Sequence, residues 1–182
     1  MKNLCFIILL TYTGIIAYAD IIGAPFIPEE FDIEIYQYPH MILIENPESQ
    51  HIDTHYTFTD EEENYQLRYT FFKQTNHDEP NIRAFFSFWA MINMMNVAGH
   101  ENIRISNFND NDVKNDFNGD FGTTAFIQNP TSDFSDGYDF IMINFYYKNN
   151  QGIVVQSLMM NDLSITQSPV FLEVFNSFSF ID

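Results

Sequence analysis

Apolar and polar residues alternate with a period of two along much of this chain, and over one stretch they switch to the period of a helix. Phe31, Ile33 and Ile35 alternate with Asp32, Glu34 and Tyr36, which predicts a half-buried strand ended by Pro39. A short apolar run at 41–44 stops at Asn46-Pro47. Residues 52–59 and 65–72 are rich in β-branched and aromatic side chains. In the second of these, Tyr65, Leu67, Tyr69 and Phe71 face one way and Gln66, Arg68 and Thr70 the other. The acidic run 60–63 between them reads as a solvated turn.

The period then changes. Asp78-Glu79-Pro80 supplies a helix start, and Ile82, Phe85, Phe86, Trp89 and Ile92 follow at helical spacing. Phe88, Met91 and Met95 fill the other side, and Gly99 suits the residue just past the end. The pattern predicts a helix over 79–98, apolar on most faces and therefore largely buried, with Trp89 and Phe85 in the core. Residues 103–108 and 123–127 read as strands. Between them, 109–122 is an Asn/Asp-rich stretch with room for one helical turn around 113–117. Segments 138–147 and 152–160 flank Lys148-Asn149-Asn150-Gln151, the clearest hairpin in the sequence. After Ser168-Pro169, Phe171, Val174, Phe175 and Phe178 stand at i, i+3, i+4 and i+7, which predicts a short C-terminal helix. The sum is one α+β domain: a curved antiparallel sheet with the 79–98 helix packed across it.

The first residues read as an address. Lys2, an apolar run over 4–16 and then Ala17-Tyr18-Ala19 match a secretory signal peptide, residues 1–19, cut before Asp20. The mature domain is then 20–182, secreted or periplasmic. The cut removes Cys5, the one cysteine, so the fold rests on its apolar core without disulfides. Asn129-Pro130-Thr131 carries the proline that forbids N-glycosylation, and no other acceptor sequence occurs.

Charge narrows the classes of partner. The chain has 25 Asp+Glu against 7 Lys+Arg, a net charge of −18, and 46% apolar residues with 20 Phe and 10 Tyr. The aromatic content excludes disorder of the main body. So few cations exclude nucleic-acid binding, and the net charge disfavours anionic membranes. It favours a basic partner, cations or simple solubility.

Candidate chemistry is sparse. His51, Asp53 and His55 would share one face of a strand, a ligand set that suits zinc, and they define a metal-assisted hydrolase as one reading. Asp116, Asn118 and Asp120 open like a calcium loop, but Phe121 and Ile127 stand where that loop needs Gly and Glu. Asp133, Asp136 and Asp139 make a second acidic loop, and calcium would serve both as structural glue. No nucleophile motif is present, so catalytic residues are unassigned and no organic cofactor is implied. The leading expectation is an exported acidic domain that binds a protein or small apolar ligand through an aromatic-rich sheet face. Tyr36, Tyr38, Tyr146 and Tyr147 are the residues expected on it.

Overall fold

Residues 149–151 turn the chain between two long strands, and the rest of the sheet is built outward from that hairpin. A computed structural model describes residues 25–26, 28, 31–47, 52–62, 64–73, 81–100 and 103–182. The signal-peptide reading and His51 lie outside these residues. In chain order the strands are β1 (Pro25–Phe26), β2 (Ile33–Tyr36), β3 (Ile42–Ile44), β4 (Tyr56–Thr59), β5 (Tyr65–Lys73), β6 (Arg104–Asn107), β7 (Phe121–Gln128), β8 (Phe140–Lys148), β9 (Gly152–Met160) and β10 (Phe178–Phe180). Among the described residues the helices are α1 (Ile82–Ala98), α2 (Asp110–Phe117) and α3 (Pro169–Phe175), with 3-10 turns at Asp133–Ser135 and Leu163–Gln167. None of these helices is long and apolar enough to cross a membrane.

Seven strands form one open antiparallel sheet in the order β3-β4-β5-β9-β8-β7-β6. A second, three-stranded sheet runs β1-β2-β10. The fold is α+β, as the pattern of periods predicts. Each face of the large sheet carries its own core. On one face Phe86, Ala90, Met94 and Val97 of α1 pack on Phe121, Ala125, Ile141, Ile143, Phe145, Val155 and Met159. On the other, β2, β10, α2 and α3 cover Tyr65, Leu67, Tyr69, Tyr146, Val154 and Leu158. The strands β5, β8 and β9 are therefore buried on both sides, which is why Gln66, Arg68, Thr70, Asn144 and Gln156 lie inside although the alternation marks them as polar.

The helix ends where its glycine requires. Gly99 takes a left-handed φ of 71°, and its N–H reaches Met95 O at 2.9 Å. A Cβ there would fall 2.2 Å from Thr131 Oγ1, so any other residue would push the capping loop away. That loop satisfies the last turn: Thr131 N donates to Ala98 O at 2.8 Å, and Ser132 Oγ donates to Val97 O.

Three expectations about the elements change. Helix α1 is not largely buried: Phe85 and Phe88 are 59% and 60% exposed, and Met91 and Ile92 also face outward. The sheet touches only one side of it. Trp89 is half-buried, edge-on to Phe72 at 4.8 Å and to Phe145 at 5.6 Å. The segment around 113–117 is a helix of 8 residues, begun by Asn109 accepting from Asn111 N at 2.9 Å and stopped by left-handed Asn118. Phe178 does not continue α3. It pairs with Ile35 across β10 and β2, because the helix ends at Asn176 and the edge of β2 offers a ladder.

The large polar groups between β8, β9 and α3 are joined in one chain. Thr124 Oγ1 donates to Asn144 Oδ1 (2.6 Å), and Asn144 Nδ2 to Gln156 Oε1 (3.1 Å). Gln156 Nε2 reaches Val174 O and Phe175 O, both at 3.1 Å, and Tyr69 Oη at 3.2 Å. The sheet thereby caps the C-terminus of α3. Burial holds the phenols of Tyr65, Tyr69 and Tyr146 above their ordinary range.

A folded-state phenol pKa above the unfolded value of about 10 stabilises the fold below pH 10, and that stability is lost as pH rises through the folded value. Desolvation lowers Arg68 to about 10 and acts in the opposite sense, but it is one group against three. We expect cooperative unfolding above about pH 10, with the absorbance of the buried tyrosinates rising only as the circular dichroism falls. Tyrosines that all titrate smoothly with an unchanged dichroism spectrum would contradict this burial.

Candidate functional site

The turns at one end of the large sheet are acidic, and most of the exposed cations lie away from them. Antiparallel order brings together the β4–β5 turn (Asp60, Glu61, Glu62), the loop before β8 (Asp136, Asp139) and the residue pair after β9 (Asn161, Asp162). Glu61, Glu62, Asp136, Asp139 and Asp162 are exposed. Among the described residues two Lys or Arg stand toward this end: Arg68, which is buried, and Arg104, which is exposed but lies across the sheet on the edge strand β6 and lines neither cleft. Lys73 and Lys148 lie at the opposite end, where Lys148 bonds Asp182 at 2.7 Å. Arg83 bonds Asp110 at 2.7 Å and stacks over the Phe121 ring, and Lys114 is on α2.

Two clefts open at the acidic end and share Asn161. One, about 390 Å³, is lined by Asp60, Asn64, Tyr65, Asp162, Ile165 and Val170 among others. The second, about 340 Å³, lies on the other side of the sheet between Ile44, Thr59, Gln66, Asp136 and Tyr138.

Local hydrogen bonds hold the carboxylates of the first cleft. Asp60 accepts from Asn64 N (2.6 Å) and Asn64 Nδ2 (2.7 Å), one on each oxygen. Asp162 accepts from Ser164 N (2.8 Å) and Ser164 Oγ (2.7 Å) in the same way. Both are side-chain turns in which an aspartate bonds the backbone two or four residues on. The donors from Ser164 hold the Asp162 carboxyl below its usual range, so it stays ionised. Tyr65 is 1% exposed, and its buried hydroxyl has no hydrogen-bond partner among the described residues. Desolvation raises its pKa first, and the charges of Asp60 and Glu173 raise it further. His40 Nδ1 lies 3.6 Å from Glu173 Oε2, and the His40 ring meets Tyr65 edge-on.

In the second cleft Asp136 is backed by a buried cation. Arg68 Nε donates to Gln66 Oε1 (2.6 Å), Nη1 to Phe134 O (2.7 Å) and Nη2 to Asp136 Oδ2 (3.4 Å). The guanidinium also covers the Phe134 ring at 4.9 Å.

Asp136 lines the second cleft, and the other described residues singled out for metal chemistry line neither cleft. Asp53 is exposed, and its carbonyl accepts from Thr70 Oγ1 at 2.7 Å. His55 packs between Phe31 and Phe71, at 5.3 and 5.4 Å between ring centres. Residues 52–55 precede β4 and are not in a strand, so the shared-face spacing does not apply to them. Asp116 is exposed on the last turn of α2. Asn118 Nδ2 donates to Phe180 O (2.9 Å) and Asp182 Oδ1 (3.0 Å), and Asp120 accepts from Asn149 N at 2.7 Å. Asn118 thus ties the end of α2 to the C-terminal residues, and Asp120 ties the start of β7 to the β8–β9 turn. Among the described residues no three His, Cys, Asp or Glu side chains converge on a point that would hold a metal.

The expected aromatic binding face is core. Tyr146 and Tyr147 are buried on opposite sides of β8, and Tyr36 and Tyr38 are partly buried. Sequence reasoning gave 60–63 only as a solvated turn and missed Tyr65, Asn161 and Asp162 as one site. The signal that was present is the chain-wide excess of carboxylates. No local pattern marks which of them meet.

No family model matches the sequence, and no curated protein is similar to it. Among solved structures, the solution structure of cyanobacterial PsbP (CyanoP) from Synechocystis sp. PCC 6803 is similar with a TM-score of 0.46 and 8% identity. That alignment covers 88% of this chain and 92% of the other.

Proposed function

We propose that this is an exported binding domain that takes a basic protein partner at the acidic end of its sheet. The observation that carries the reading is the segregation of charge: carboxylates from three separate turns rim two clefts, and no Lys or Arg of the described residues lines either of them. Clefts lined by one sign of charge raise the local concentration and on-rate of an oppositely charged partner. Exposed aspartate and glutamate repel one another, so a surface that concentrates them gains from a cationic partner what it loses when alone.

The test uses an octalysine peptide as the probe at low salt and at 150 mM salt. Binding is expected to the whole domain, weakening with salt as surface charges are screened. Neutralising Glu61, Glu62, Asp139 and Asp162 to their amides should reduce affinity far more than neutralising Asp110, Asp112, Asp116 and Asp182 at the other end. Both variants change net charge equally. Equal loss in the two would show attraction to bulk charge and overturn a localised site.

A further inference from the structure

We propose that the cleft between the 60–64 turn and residues 161–170 receives the ammonium group of a lysine side chain, which would be the partner's anchoring residue. This rests on the basic-partner reading and names the chemistry of one of its clefts.

Four features of the cleft select that group. Asp60 and Asp162 bring carboxylates from two different turns to its rim, and no cation lines it. Ile165 and Val170 offer apolar wall for a methylene stem. Tyr65 supplies a hydroxyl that is buried, without a partner among the described residues and under the influence of the Asp60 charge. A buried polar group in that state is a standing cost that a bound donor removes.

The fourth feature separates lysine from arginine. Each oxygen of Asp60 already accepts one hydrogen bond from Asn64, and each oxygen of Asp162 one from Ser164. Arginine gains its advantage over lysine by a two-pronged grip on both oxygens of one carboxylate. Here that approach is occupied. An ammonium is a compact point charge with three donors, and it needs only one remaining lone pair from each of several acceptors.

The experiment titrates the full domain with Nα-acetyl-lysine N-methylamide and follows backbone amide resonances. The arginine and norleucine analogues are run alongside. Saturable shifts confined to 60–65 and 161–170 are expected with the lysine analogue, with weaker binding of the arginine analogue and none of the norleucine analogue. Asp162→Asn should weaken lysine binding about tenfold or more, the loss expected for a charge-assisted hydrogen bond. Tyr65→Phe should also weaken it while leaving the melting temperature unchanged or raised, since the hydroxyl it removes bonds nothing among the described residues of the free protein.

Arginine binding as tight as lysine, or no saturable shift with lysine in a folded protein, overturns the proposal. If octalysine still binds at the acidic end while the lysine analogue leaves the cleft unmoved, the cleft assignment alone falls. If the lysine analogue binds and octalysine does not, the cleft stands and the wider docking surface falls.

Discussion

Phe86→Ala is expected to lower stability by about 3–5 kcal/mol, while Phe85→Ala, one residue away, changes it by about 0.5 kcal/mol or less. Phe86 is 2% exposed and meets Phe121 edge-on at 5.1 Å and Tyr147 at 6.1 Å. Removing its ring leaves a cavity between α1 and the strands β7 and β8, where neither sheet nor helix can close up easily. Phe85 points away from the sheet and is mostly in water. Phe88→Ala should behave like Phe85→Ala. Chemical denaturation of the three variants decides it. Similar losses at 85 and 86 would mean that α1 is rotated about its axis from the orientation described.

Arg68→Ala is the second large effect, with an expected loss of about 3–5 kcal/mol. The side chain is 1% exposed, so its charge is held by its neighbours and not by water. Truncation leaves Phe134 O and Gln66 Oε1 without their donor inside the fold. It also frees the 133–136 turn from the strand β5 to which the guanidinium ties it. Asp136→Asn should cost far less, about 1 kcal/mol or below, because that carboxylate is half exposed and only 3.4 Å from Nη2. Thermal or urea unfolding measures both. A larger loss for Asp136→Asn than for Arg68→Ala would show that the ion pair, and not the buried hydrogen bonds, holds this turn. Arg68 also backs the second cleft, so its variant should be compared with wild type in octalysine binding only while it remains folded.

The strands and the hairpin were legible because they are local. Alternation at 31–36 and 65–72 and the turn residues at 148–151 state their own geometry within a few positions. Gly99 was legible as a helix stop because glycine readily takes the left-handed φ, here 71°, that ends a helix. The end of the chain was less so. Phe178 stands at helical spacing from Phe171, yet it lies in a strand, because helix or strand is decided there by the free edge of β2, far away in sequence. The orientation of α1 was hidden for another reason. Apolar residues occur almost all round that helix, so the spacing predicts a helix but does not say which side the sheet covers.

The candidate site shows the same division more sharply. Composition by itself determined that the protein carries a large excess of carboxylates. Where those carboxylates gather was decided by the tertiary structure. Residues 60–62, 136, 139 and 162 are scattered over a hundred positions, and the strand order β4-β5-β9-β8 sets their turns side by side. Whether Tyr65 is ordinary core or the wall of a cleft was also decided there. The physical reason is that charge content and periodicity are properties of a chain read in order. A binding site is a property of distance, and distance between remote residues is fixed only when strands pair and layers pack.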